Sequence, residues 1–118
     1  MTLQERDREL LLKIVSHCDE IISDADHVGT LENLRTDNRT YRATTQSIAQ
    51  IGELSKRLSD ELTEATQEIN WKGVKGIREM VVHDYVKLDL EFIWAVMTEH
   101  IVALRSVCVK QLGNITSN

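Results

Sequence analysis

Arg78-Glu79-Met80-Val81-Val82-His83-Asp84-Tyr85 is the run of this chain whose side chains could do chemistry. An arginine is always charged and offers a planar fork of donors suited to phosphate oxygens. A histidine ordinarily titrates near neutral pH, so it can take a proton from a ribose 2′-hydroxyl or give one to a leaving oxygen. The phenol of Tyr85 could orient a scissile phosphate or itself be modified. An RNA 2′-hydroxyl attacking its own phosphodiester needs only these functions, without metal.

Helical spacing complicates the grouping. At about 100° per residue, Arg78 and His83 lie roughly 140° apart on a straight helix and do not share a face. Lys75, Arg78, Val82 and Tyr85 fall on one stripe, and Lys72, Gly76, Glu79 and His83 on another. Two routes would bring Arg78 and His83 to one phosphate. The helix could end near His83 so that the imidazole turns back, or a two-fold dimer could set two copies of the run across one cleft.

The elements that must position this run read as helices. Asn70 is an N-cap for a helix from Trp71 to about His83, and Asp89 caps a following helix. That last helix places Phe92, Ile93, Val96, Met97, Ile101, Leu104, Val107 and Cys108 on its buried side, with Gly113 as its stop and residues 114–118 fraying. The first helix spans about Gln4 to Ser23, with Leu11, Ile14, Val15, Cys18, Ile21 and Ile22 as its apolar stripe. Asp24 to Gly29 then form a polar break.

A second helix starts at Leu31 or Thr36 and runs to Leu58, with Tyr41, Thr44, Ile48, Ile51, Ser55 and Leu58 inside. Gly52 beside that face implies close approach of a neighbouring helix, because glycine otherwise costs a helix about 1 kcal/mol against alanine. Arg35, Arg39 and Arg42 form one basic stripe on it, either a solvated face or a surface that tracks phosphates. Ser59 caps a short helical turn.

Composition fits this pattern. The 118 residues are 42% hydrophobic and 28% charged, with no proline and few aromatics, so aliphatic side chains must build the core of a single all-α domain. The expected architecture is an up-and-down bundle of four to five helices. Cys18 and Cys108 sit at apolar positions and lack metal spacing, which makes them buried, inert thiols. His17 and His27, at a helix end and in a loop, and His100, beside the last apolar stripe, have ordinary structural explanations, and no metal site or cofactor motif is present.

A charged first segment argues against a leader, and no apolar run looks like a membrane span. The chain therefore reads as cytoplasmic and without a membrane role, and the sequons at Asn38 and Asn114 carry no meaning. The net charge of −5 argues against a general nucleic-acid binder. Between Trp71 and Lys87, however, Lys72, Lys75, Arg78 and Lys87 outnumber Glu79 and Asp84, a local net of +2.

Beyond these bare residue types, three motifs occur in order: Ile51-Gly52-Glu53, Trp71-x5-Ile77-Arg78 and His83-x-Tyr85. With the Leu88-Asp89-Leu90-capped helix that follows, they resemble the HepT-like branch of the HEPN superfamily over about residues 5 to 112. The resemblance implies a helical homodimer that cuts RNA as a metal-independent endoribonuclease, with Arg78 and His83 catalytic. It further implies the toxin of a toxin–antitoxin pair of type II or VII, whose partner is a minimal nucleotidyltransferase that silences it by AMPylation of Tyr85. Added negative charge and bulk beside the imidazole would repel RNA.

Lys72, Lys75, Lys87, Arg35, Arg39 and Arg42 are the expected RNA-contacting residues. The family usually has Asn or Asp after the arginine, where this chain has Glu79, long enough to sit against Arg78 or to reposition the site. Two other readings compete: a non-catalytic helical binding subunit of a nucleotidyltransferase, and a helical dimer with no RNA role.

Overall fold

A computed structural model describes residues 1–84 and 88–116, and the described residues are helical with no strand. The expected all-α bundle is what forms. Helix α1 runs Leu3–Val28, α2 Leu31–Thr36, α3 Asn38–Ser55, α4 Asp60–Ala65 and α5 Trp71–Asp84. Helix α6 (Leu90–Ala95) passes through a π-helical turn at Val96–His100 into α7 (Ile101–Thr116). The molecule measures 46 × 27 × 23 Å, its long axis set by the 26-residue α1. Helix α1 packs on α3 along one side and α7 along the other, and α3 in turn carries α5.

Several boundaries differ from the sequence reading. The polar stretch after Ser23 is still helix, because Ala25 and Val28 continue the stripe of Ile14, Cys18 and Ile21 into the core. Thr2 and Glu5 open α1 with a capping box, and Gly29 closes it at φ 76°, a conformation that favours glycine. His17 is therefore mid-helix, and His27 lies in the last turn of α1 rather than in a loop.

The second helix splits at Asp37, whose carboxylate accepts from Thr40 N–H and starts α3. Its inner face is as expected: Thr44, Ile48, Ile51, Ser55 and Leu58 are buried, and Tyr41 partly so. Ser55 hydroxyl donates to the Ile51 carbonyl, which satisfies a polar group inside the core without lateral bulk.

Helices α6 and α7 and the π turn form one rod that corrects three expectations. Gly113 does not stop it, and helix continues to Thr116. By length and composition alone, Leu90–Ile115 could cross a membrane, at a mean hydropathy of 1.5, contrary to the sequence reading. Its apolar face is used internally, where Ile93, Val96, Met97, Ile101, Leu104 and Cys108 are buried. Phe92 is 39% exposed rather than buried, because the adjacent line Ile93–Met97–Ile101 faces the core instead. Cys18 and Cys108 are buried free thiols, and burial pushes both up to about 12, which keeps them unreactive.

Polar links fix the segment that leads into α5. The indole N–H of Trp71 donates to Thr66 hydroxyl at 2.9 Å, and that hydroxyl donates to the Leu62 carbonyl at 2.7 Å. Upstream, the buried Asp7 accepts from Ser59 N–H and Oγ at 2.9 and 2.6 Å, while Ser59 Oγ accepts from Leu62 N–H. Asn70 caps α5 as expected, accepting from Gly73 N–H at 3.0 Å.

Helices α3 and α5 approach each other closely at Gly52. A Cβ at Gly52 would lie 2.8 Å from Arg78 Cβ and 3.1 Å from the Val74 carbonyl oxygen. Neither is the free end of a flexible side chain, so one helix would have to move. Gly52→Ala should therefore lower stability by roughly 1–3 kcal/mol of overpacking, partly offset by about 1 kcal/mol of better helix propensity. Urea denaturation of the two proteins checks the sign; a more stable alanine variant would show that the contact is not tight.

Candidate functional site

Arg78 and His83 meet through a side chain that the helical spacing had left between them. Glu79 lies about 100° from Arg78 and, one turn below His83, about 40° from it. Its Oε1 accepts from Arg78 Nη1 at 2.6 Å, and its Oε2 lies 3.2 Å from His83 Nε2. One carboxylate thus bridges the cation and the imidazole on α5. His83 lies one residue before the end of the described span of α5, Trp71–Asp84.

Helix α3 supplies the other half of the cluster. Glu53 Oε1 holds Arg78 Nε at 2.6 Å, and Lys56 Nζ lies 3.5 Å from Glu53 Oε1 and 3.8 Å from Glu79 Oε1. Gly52 makes this possible, because it lets the backbone bearing Glu53 come against the first carbon of Arg78. Arg78 is consequently fixed from two helices, with a side chain 35% exposed, while His83 is 71% exposed and open to a ligand.

Electrostatics follow the geometry. The Arg78 hydrogen bond, then the charges of Arg78 and Lys56 and the hydrogen bond to His83, hold the Glu79 carboxyl below its ordinary range. Glu79 and Glu53 in turn raise the Arg78 guanidinium above its ordinary value, so it is charged at every working pH. Two carboxylates balance two fixed cations, and protonation of His83 would tip the cluster positive. Among the described residues no group of three His, Cys, Asp or Glu side chains is placed to hold a metal ion. The arrangement offers an anion-binding guanidinium and an exposed imidazole side by side.

The remaining sequence candidates are scattered. Lys72 is exposed and Lys75 half-buried on α5, while Tyr85 and Lys87 lie outside the described residues. Arg35, Arg39 and Arg42 are exposed but do not form one helical stripe. The break at Asp37 puts Arg35 on α2 and the other two on α3, and Arg35 Nε pairs with Glu32 at 3.5 Å. Sequence reasoning missed Lys56, although its spacing three residues after Glu53 places both on one face of α3. It placed Glu79 on one stripe with His83 and within reach of Arg78, but not as a single carboxylate bridging the two.

Comparison with known proteins agrees with the motif. The sequence profile of the family described as "Ribonuclease HepT-like" matches residues 11–110. A Methanocaldococcus jannaschii protein named "Putative RNase" is 28% identical over 90 residues, 76% of this chain and 74% of the relative. A Thermococcus cleftensis protein named "Probable ribonuclease HepT" is 24% identical over 101 residues, covering 86% and 92% of the two chains. A further "Putative RNase", from Caldanaerobacter subterraneus subsp. tengcongensis, is 28% identical over 97 residues, 82% of this chain and 86% of its own. No solved structure gives a significant match. The profile spans both helices that build the Glu53–Arg78–Glu79–His83 cluster, and the chain belongs to the HepT-like ribonuclease family.

Proposed function

We propose that this chain is a metal-independent endoribonuclease acting as the toxin of a toxin–antitoxin pair. The observation that supports the reading is the convergence of Arg78 and His83 on one carboxylate, that of Glu79. Arg78 would anchor the scissile phosphodiester, and His83 would take the proton of the adjacent 2′-hydroxyl. The O2′–P bond then forms and the P–O5′ bond breaks, with a proton delivered to the leaving 5′-oxygen. The products are a 2′,3′-cyclic phosphate and a 5′-hydroxyl. Lys72 and Lys75 on α5, with Lys87, would hold flanking phosphates, and Arg35, Arg39 and Arg42 more distant ones.

The exposed His83 and its neighbours suit a site shared between two copies, with a second imidazole available as the general acid. Tyr85, two residues beyond His83, is the natural target for AMP transfer by a nucleotidyltransferase antitoxin in the cytoplasm. The balanced charge of the cluster supports a second reading, a non-catalytic subunit that binds such a partner through α5.

Expression of the unmodified wild type without antitoxin should arrest growth, and the purified protein should cut RNA in the presence of a chelator. Arg78→Ala or His83→Ala should lower cleavage by roughly 10²–10⁴-fold, the usual contribution of such groups. Wild type that cuts no RNA, yet binds the nucleotidyltransferase as stably as His83→Ala does, would select the second reading. Light scattering at micromolar concentration should give twice the chain mass; a monomer would remove the shared site.

A further inference from the structure

We infer that Glu79 is a specificity-determining residue that fills the anion site from within: its carboxylate occupies the place where a phosphate would bridge Arg78 and His83. This rests on the reading of those two residues as the phosphate-binding pair. Both carboxylate oxygens are engaged, Oε1 by Arg78 Nη1 and Oε2 by His83 Nε2. Those are the donors a phosphodiester would need, and the guanidinium fork fits carboxylate and phosphate alike. An incoming monoanion therefore exchanges with an internal one rather than entering an empty site.

The surroundings permit that exchange. The Glu79 side chain is half exposed and is not locked by core packing. Among the described residues, the charged groups paired within this cluster are Arg78 and His83 on its own helix and Glu53 and Lys56 on α3. Lys56 Nζ already lies 3.8 Å from Oε1, so a displaced carboxylate has a cation to turn to. Arg78 meanwhile keeps its place, because Glu53 holds Nε from the other helix at 2.6 Å. Glu79 thereby lowers the affinity of the site for any phosphate and makes binding depend on further contacts along a polymer. A lone phosphate pays this penalty without those contacts, so the site discriminates in favour of extended RNA.

Inorganic phosphate titrated into the full chain, followed through the His83 imidazole resonances, tests this independently of RNA cleavage. Glu79→Gln should bind phosphate at least about tenfold more tightly than wild type, the scale of one lost charge-assisted competitor. Glu79→Ala should do the same, and circular dichroism confirms that both remain helical. Equal or weaker binding in both variants overturns the inference, as does phosphate that leaves His83 unmoved in every protein. Glu53→Gln is the control: an equal gain there would reduce the effect to net charge and also overturn it. Tighter phosphate binding in the Glu79 variants by a protein that cuts no RNA would uphold the inference while ending the nuclease reading.

Discussion

The contact of two helices at Gly52 is the constraint on which the site depends. Helix α5 holds Arg78, Glu79 and His83, and its main neighbour is α3. Helix α5 has little apolar bulk to hold it there, since Trp71 and Val81 alone among its described apolar side chains are buried. Close approach takes the place of bulk: hydrogen in place of a methyl at Gly52 lets Arg78 Cβ come within what would be a clash. From that approach follows the 2.6 Å pairing of Glu53 with Arg78, and with it a guanidinium whose direction is set before any ligand arrives.

The same contact explains why neighbouring motif residues serve unlike ends. Ile51 is core, Gly52 is spacing, and Glu53 is a tether, three consecutive residues with three physical tasks. On α5, Trp71 is an anchor whose indole is satisfied by Thr66, while Arg78 stands two turns further along the helix. The family profile that matches residues 11–110 covers this whole assembly, so the site and its supports belong to one inherited unit.

Much of the scaffold was legible because it rests on local rules. Asn70, Ser59 and Asp89 are caps that read directly from residue type, and the α3 inner face from spacing. Gly52 announced a close neighbour, though not that the neighbour was Arg78. Where reading failed, tertiary burial overrode local signals: Ala25 and Val28 carried α1 through a polar stretch, and α7 ran through Gly113. The break at Asp37 hid behind a helical spacing of arginines that happened to continue across it. Glu79 was legible as a neighbour of Arg78 but not as a bridge, because a 140° separation says nothing of a third residue lying between.

That bridge gives the site its character, a cation and an imidazole held ready around one anion. If this geometry serves transesterification, the ends of the cut RNA record it. The most direct measurement is therefore the chemistry of the termini produced by the unmodified protein in the presence of a chelator. A 5′-hydroxyl and a 2′,3′-cyclic phosphate are predicted; a 5′-phosphate and a 3′-hydroxyl would contradict attack by the neighbouring 2′-hydroxyl.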